Sequence, residues 1–321
     1  MAASGSKLAI YGAIVGNFLI CITKFIAAGL TGSSAMLTEG IHSLVDTGNG
    51  GLLLFGIHRS ERIPDEKHPF GYGPELYFWT LIVGILIFGI GGGISVYEGI
   101  LHVLHPVELS DPTVNYIVLG LAVIFEGAAW YLALKGFLVA KGNNSVWKAV
   151  KESKDPTTFA VLFEDSAALL GLIVAFLGIF IGHLLEIPVL DGVASICIGL
   201  ILAAVAFVLI YESHGLLIGE SASPEIVEGV RQIVNSYPEV QRAKSPLTLH
   251  FGPNQILLAM DLQFLDSLGS DQIESTIDRI ESEIRKKYPE IRNIFLEADA
   301  ILISRRTLQL EKSSQTNNSS S

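Results

Sequence analysis

Residues 33 to 58 read SSAMLTEGIHSLVDTGNGGLLLFGIH, a bilayer-length run that carries a glutamate, a histidine and an aspartate. A hydrocarbon core of about 30 Å needs roughly 20 helical residues at a rise of about 1.5 Å each, so the stretch is long enough to cross. Glu39, His42 and Asp46 stand at i, i+3 and i+7, which on a helix places them within about 60° of one face. An ionisable group at the centre of a bilayer costs at least ~2.5 kcal/mol, so it faces protein or a water-filled path and is read first as functional. His42 and Asp46, one turn apart, can grip a single ion. Counting about nine residues in from the outer end puts His42 some 13 Å deep, close to the midplane, where an alternating-access site belongs.

The rest of the chain fits that reading. Of 321 residues, 50% are hydrophobic and 17% charged, with a mean hydropathy of +0.50, too apolar for a soluble protein of this length. Six stretches can span, roughly 8 to 30, 33 to 58, 75 to 102, 113 to 138, 157 to 183 and 189 to 217. Arg59, Arg62 and Lys67 follow span two; Lys141, Lys148, Lys151 and Lys154 follow span four. The other connecting loops hold no Lys or Arg, so both termini are expected in the cytoplasm. A net charge of -11 argues against nucleic acid as a partner and suits cation handling. Cys21 and Cys197 lie in apolar runs and are read as buried hydrophobes, with neither a disulfide nor a metal. Residues 1–7 are expected as a short cytoplasmic N-terminus too short for a transit peptide, and the first helix as retained.

Span five supplies a counterpart to span two. In Leu162-Phe163-Glu164-Asp165-Ser166-Ala167, Asp165 lies about eight residues, or roughly 12 Å, from the cytoplasmic end, so two helices bring acids to one depth. The plainer alternative is that these groups pair across helices as structural glue.

From residue 219 a small soluble domain is expected to run to about residue 300, followed by a disordered tail, 301–321. Its first helix carries Ile226, Val230, Ile233 and Val234 on one face. A later helix carries Ile273, Ile277, Ile280 and Ile284. Leu258, Met260, Leu262 and Phe264 alternate with polar or small residues as a half-buried strand does, and strands are also expected near 241 to 250 and 291 to 298. The fold class is therefore a membrane all-α six-helix domain, 8–218, with a cytoplasmic α+β domain of order αββαβ, ferredoxin- or metallochaperone-like. A domain of about 80 residues is small for a lone core and is expected to associate.

These residues resemble the cation diffusion facilitators, or cation efflux proteins, over nearly the whole chain. The resemblance rests on Thr31-Gly32-Ser33-Ser34-Ala35 leading to His42-x-x-x-Asp46, and on Pro64-Asp65-x-x-His68-Pro69-Phe70-Gly71-Tyr72-Gly73. It also rests on Glu164-Asp165-x-Ala-Ala-x-x-Gly in span five. The Glu-Asp pair and the residues around Ser43 are similar to the zinc transporter 9-like branch. The resemblance implies a tetrahedral transport site with two ligands from span two and two, at i and i+4, from span five. His42, Asp46 and Asp165 match three of them; the fourth falls on Val161, which cannot bind metal. Glu164, about 100° around the helix from Asp165, is favoured to supply the missing oxygen, with Glu39 or a water as alternatives.

The expectation is then a homodimeric divalent cation exporter with zinc as its transported substrate, protons as the counter-ion and no organic cofactor. Imidazole plus carboxylate suits four-coordinate zinc, whereas manganese is content with oxygens alone. Manganese, iron or cobalt export, and a non-transporting metal-binding scaffold, are the alternatives. An intramembrane metalloprotease is disfavoured because no His-Glu-x-x-His occurs. A bacterial inner membrane is expected ahead of an organellar one.

Secondary candidates carry plainer readings beside the functional ones. Asp65 and His68 match a loop metal site found in part of the family, with Tyr72 where another histidine would stand, or else anchor the loop. Glu126 in span four is a candidate proton relay alongside His42 and Asp46, with an interhelical hydrogen bond preferred. Lys24 in span one snorkels or pairs with an acid. His250 is the soluble domain's sole histidine, and Glu297 and Asp299 replace the family's His-x-Asp, so zinc there is not expected. Gly89, Gly91, Gly92 and Gly93 in span three are read as packing positions first and as a hinge second.

Overall fold

The structure is a computed structural model describing residues 2–106, 111–141, 145–146, 149–150 and 153–298. The chain divides into two compact units, residues 1–218 and 219–321.

The first unit is helical. α1 (Ala2–Thr31) and α2 (Ser34–Ser60) are joined at Gly32, whose φ of 68° only glycine adopts without strain. The third crossing has three parts: α3 (Pro74–Leu86), a π-helical segment (Ile87–Ile94) and α4 (Ser95–Leu104). α5 (Thr113–Lys141), α6 (Pro156–Leu185) and α7 (Val189–Ile218) follow. Each lies within a few residues of its expected span, except that α1 starts at Ala2 and takes up the leader. Five of the crossings are long and apolar enough to traverse a membrane by composition; α2, with 27 residues, is long enough but more polar. Its polar side chains are covered by neighbours: Thr38, Glu39, His42, Ser43 and Asn49 are all buried, and α2 packs on α1, α3, α6 and α7.

The glycines of span three serve both readings. They occupy the π-helical segment, a local widening that loosens the i→i−4 ladder. They also let backbones meet. A Cβ on Gly92 would lie 3.0 Å from the carbonyl oxygen of Gly199, and one on Gly99 would lie 2.7 Å from that of Gly192. Both pairs repeat after seven residues and in opposite chain directions, so α4 and α7 run antiparallel along a seam of small residues.

The second unit is α8 (Pro224–Asn235), β1 (Val240–Ala243), β2 (Leu247–Gly252), β3 (Gln255–Phe264), α9 (Ser270–Lys287) and β4 (Ile291–Ala298). β3 is central: β1 and β2 pair antiparallel with its two ends along one edge, and β4 runs parallel along the other. The strand expected over 241 to 250 is thus two short strands, broken at Lys244-Ser245-Pro246 because proline offers no ladder donor. The remaining order is as expected. Ile256, Leu258, Met260, Leu262 and Phe264 of β3 pack with Val230, Ile233 and Val234 of α8 and Ile280 and Ile284 of α9. Asp299 and the tail 301–321 lie outside the described residues.

The glycine seam yields a stability test. Gly99→Ala and Gly192→Ala each place a methyl group against backbone that cannot give way, so each should destabilise by ~1–3 kcal/mol, seen as a lower thermal midpoint in detergent. Gly120→Ala on α5, where nothing lies within 4 Å of the added Cβ, should leave the midpoint unchanged or raise it.

Candidate metal transport site

The N-terminal end of α2 is pinned. Ser33 caps it, its Oγ accepting from the Met36 N–H at 3.2 Å. Asp191, in the first turn of α7, binds the same end: its carboxylate accepts from the backbone N–H of Ser34 at 2.5 Å and that of Ala35 at 3.3 Å. It also accepts from the hydroxyls of Ser33 at 2.6 Å and Ser34 at 2.8 Å. A carboxylate on the free amides of a helix N-terminus meets both their donors and the positive end of the dipole. The His102 Nδ1 stands 3.9 Å from this carboxylate, so that histidine is tied into the outer end of the bundle.

Below that cap lies the expected site. His42 is buried, with its Nδ1 3.3 Å from Asp46 Oδ1 but without the alignment of a hydrogen bond. Both ring nitrogens of His42, Asp46 Oδ1 and the side-chain oxygen of Asn49 are buried without a hydrogen-bond partner. Buried polar atoms are nearly always satisfied, so four left open on successive turns of one helix mark a place built to receive something. Asn49, three residues beyond Asp46, also donates from Nδ2 to Glu164 Oε1 at 2.6 Å, tying α2 to α6. The Asp46 and Glu164 carboxyls are neighbours across the same gap.

The orientation of α6 separates its two acids. Ala160, Glu164, Ala167, Ala168, Leu172 and Ala175 form the buried stripe, whereas Val161 is 38% exposed. Glu164 therefore faces α2 where the family pattern would place position 161. Asp165 stands at the edge of the stripe, half-buried and without a hydrogen bond or ion pair to α2 among the described residues. Ser166 beside it accepts a hydrogen bond from Trp130 Nε1 of α5 at 2.9 Å. No group of three or more His, Cys, Asp or Glu side chains among the described residues is already gathered as a metal cage.

Lys24 is enclosed by acids one turn above His42. Its Nζ donates to Glu39 Oε2 at 2.9 Å, to Ser43 Oγ at 2.9 Å and to Glu126 Oε1 at 2.7 Å, and the side chain is fully buried. Glu126 thus has the interhelical partner weighed for it above, and Glu39 is bonded to Lys24 rather than free to turn towards His42.

The loop residues Asp65 and His68 are on the surface and joined to each other. Asp65 Oδ1 accepts from the backbone N–H groups of Lys67 at 3.0 Å and His68 at 2.8 Å, and Oδ2 accepts from the Tyr72 hydroxyl at 2.6 Å. The Tyr72 hydroxyl first, then those two amides, hold the Asp65 carboxyl below the usual carboxylate range. In the second unit, His250 is buried with its Nδ1 3.2 Å from the Gly252 carbonyl.

Sequence reasoning passed over Asp191 and Asn49. Asp191 sits three residues after Pro188 and looks like any acid in a helix's first turn; Asn49 is uncharged and raised no alarm in a polar helix. The signal for Asn49 was depth, since it falls well inside a spanning segment.

A family model described as the cation efflux transmembrane domain matches residues 10–218. A mouse protein described as the mitochondrial proton-coupled zinc antiporter SLC30A9 is 32% identical over 330 residues, covering 89% of this chain and 57% of its own length; the human protein of that name gives the same figures. The manganese efflux system protein MneP of Bacillus subtilis is 25% identical over 301 residues, covering 88% of this chain and 92% of its own. The chain spans little more than half the length of the mouse and human relatives. The match of the cation efflux model over residues 10–218, with the similarity to the mouse and human proteins, places this chain in the cation efflux, or cation diffusion facilitator, family and in its zinc transporter 9-like branch.

Proposed function

We propose that this chain exports a divalent transition metal ion, zinc foremost, in exchange for protons, through a site made by His42 and Asp46 of α2 with Glu164 and Asp165 of α6. The observation that carries the reading is the set of unpartnered polar atoms of His42, Asp46 and Asn49, buried on α2 beside Glu164 of α6. Imidazole nitrogen with carboxylate oxygen is a donor set that four-coordinate zinc accepts readily. His42 must be neutral and the acids ionised to hold the ion, so metal and protons compete for the same lone pairs and each displaces the other. Asn49 keeps Glu164 turned towards α2, taking over the place that Val161 cannot serve. The described zinc and proton activities of the mouse and human relatives support this reading, and we take the chain to be a transporter and not an enzyme.

The distribution of Lys and Arg supports both termini on the cytoplasmic side of a membrane that bears a proton gradient. The soluble unit supports a homodimer. On the sheet face away from the helices, Leu247, Ala259 and Phe295 stand side by side across β2, β3 and β4, and Leu247 and Phe295 are exposed. A solvent-exposed apolar row of this kind suits a second copy of the chain.

Three results would test these assignments. His42→Ala and Asp46→Ala should each abolish zinc flux driven by a pH gradient in proteoliposomes while the protein still elutes as a folded species; unchanged flux from either rejects the site. Asp65 and His68 we assign to holding the loop. Zinc titration of the Asp65→Ala, His68→Ala double variant should then show the parent's stoichiometry, with faster amide exchange at residues 67 and 68; a lost zinc equivalent would mark a second site. Because the Asp65 carboxyl is held low, its tether contributes fully above the ordinary carboxylate range and is lost only as pH falls through the lowered value. Phe295→Glu should shift the detergent-solubilised protein from dimer towards monomer, and a parent that is already monomeric contradicts the dimer.

A further inference from the structure

The Lys24 cluster is the largest set of buried charges that the transport site does not use. The three donors of its ammonium group are all engaged, by Glu39 and Ser43 of α2 and by Glu126 of α5. Each carboxylate gives Lys24 one oxygen and keeps a second, Glu39 Oε1 and Glu126 Oε2, buried without a partner. Glu39 Oε1 abuts α6: a Cβ on Gly171 would lie 2.5 Å from it, so glycine is needed there for the carboxylate to fit. Ser43 adjoins His42 in the chain, and Glu126 lies within electrostatic reach of both Asp46 and Asp165. The cluster and the proposed site are therefore neighbours along the same contact between α2 and α6.

We propose that Lys24 is a selectivity-determining residue, a tethered cation that occupies the Glu39 and Glu126 carboxylates and keeps these two oxygen donors out of the metal path. The inference rests on the transport reading above. With Lys24 in place, an entering ion meets one imidazole and a few carboxylates, a set that suits four-coordinate zinc. Without it, two more hard oxygen ligands stand one turn away, uncompensated and free to turn towards the ion. That raises both the coordination number on offer and its oxygen content, which favours manganese, an ion at ease with six oxygens. A tethered ammonium performs this task better than a mobile ion because it cannot be carried across with the substrate.

The test compares initial rates of zinc and manganese flux in proteoliposomes of the full chain under one pH gradient. Lys24→Arg, which keeps the cation, should keep the parent's manganese-to-zinc ratio. Lys24→Met and Lys24→Gln should raise that ratio by about tenfold, the lower end of what outer-shell partners contribute to metal affinity. Lys24→Gln can still donate hydrogen bonds to both acids, so it carries the comparison if Lys24→Met elutes as aggregate. The triple variant Lys24→Gln, Glu39→Gln, Glu126→Gln has no carboxylate to release and should return to the parent's ratio. An unchanged ratio in the folded Lys24→Gln variant overturns the inference, as does a triple variant that admits manganese as freely as Lys24→Gln. A parent that shows no proton-driven flux of either metal refutes the transport reading instead.

Discussion

An ammonium group that cannot reach water is the constraint around which the helical unit is arranged. Lys24 lies in a span where stripping a lone charge of its hydration costs several kcal/mol even after relaxation, roughly in line with other buried ions. The two glutamates and one serine that surround it come from α2 and α5, so α1 is held against both by a single side chain. Such a cluster adds little stability over a well-packed apolar core, but removing one member leaves the others uncompensated at about 3–5 kcal/mol. Its physical effect is to forbid alternatives: α1, α2 and α5 can slide or rotate only if the charges stay together. α2 is thereby fixed in rotation with His42 and Asp46 on the opposite side of the turn from lipid.

A second constraint acts at the first residues of α2, about one turn before Glu39. Asp191 meets the first amides of the helix and two serine hydroxyls, joining the start of α2 to the start of α7. α7 is in turn locked to α4 through the Gly92–Gly199 and Gly99–Gly192 contacts, where backbones touch without side chains between them. The outer ends of α2, α4 and α7 therefore behave as one block. Beyond these two pinned points α2 meets α6 through the Asn49–Glu164 hydrogen bond and the neighbouring carboxyls of Asp46 and Glu164. It is along this part of α2 that buried polar atoms are left open.

Much of this could be read from residue types and spacing, and what could not has a common cause. Hydropathy located the six helices, and the i, i+3, i+7 placement of Glu39, His42 and Asp46 marked α2 as the one with a polar face. Lys24 was recognisable as a charge in need of an acid. Its partners stand 15 and 102 residues away, and no periodicity connects them. Glu164 and Asp165 are adjacent, so only the rotation of α6 distinguishes them; the small residues at 160, 167, 168 and 175 sketch its buried stripe, but apolar residues surround them on every side in a membrane helix. In the soluble unit the isoleucine stripes and the alternation in β3 set the core. Pro246 was the visible sign that the first strand is broken, and the pairing of both pieces with one edge of β3 is a long-range fact.

The same logic says why α2 can be polar without being unstable. Of its polar side chains, Glu39 and Ser43 are neutralised by the Lys24 cluster, and Ser33 and Ser34 by Asp191 and Ser195. Asn49 is bonded through its amide to Glu164. Once these are removed from consideration, the groups of α2 left wanting partners are the His42 ring, the Thr38 hydroxyl and single oxygens of Glu39, Asp46 and Asn49. The helix is satisfied at its ends and along one side, and unsatisfied along the other. A structural span would have closed that remainder with one more serine or lysine; a helix that leaves it open has conceded stability at the place proposed above to bind an ion.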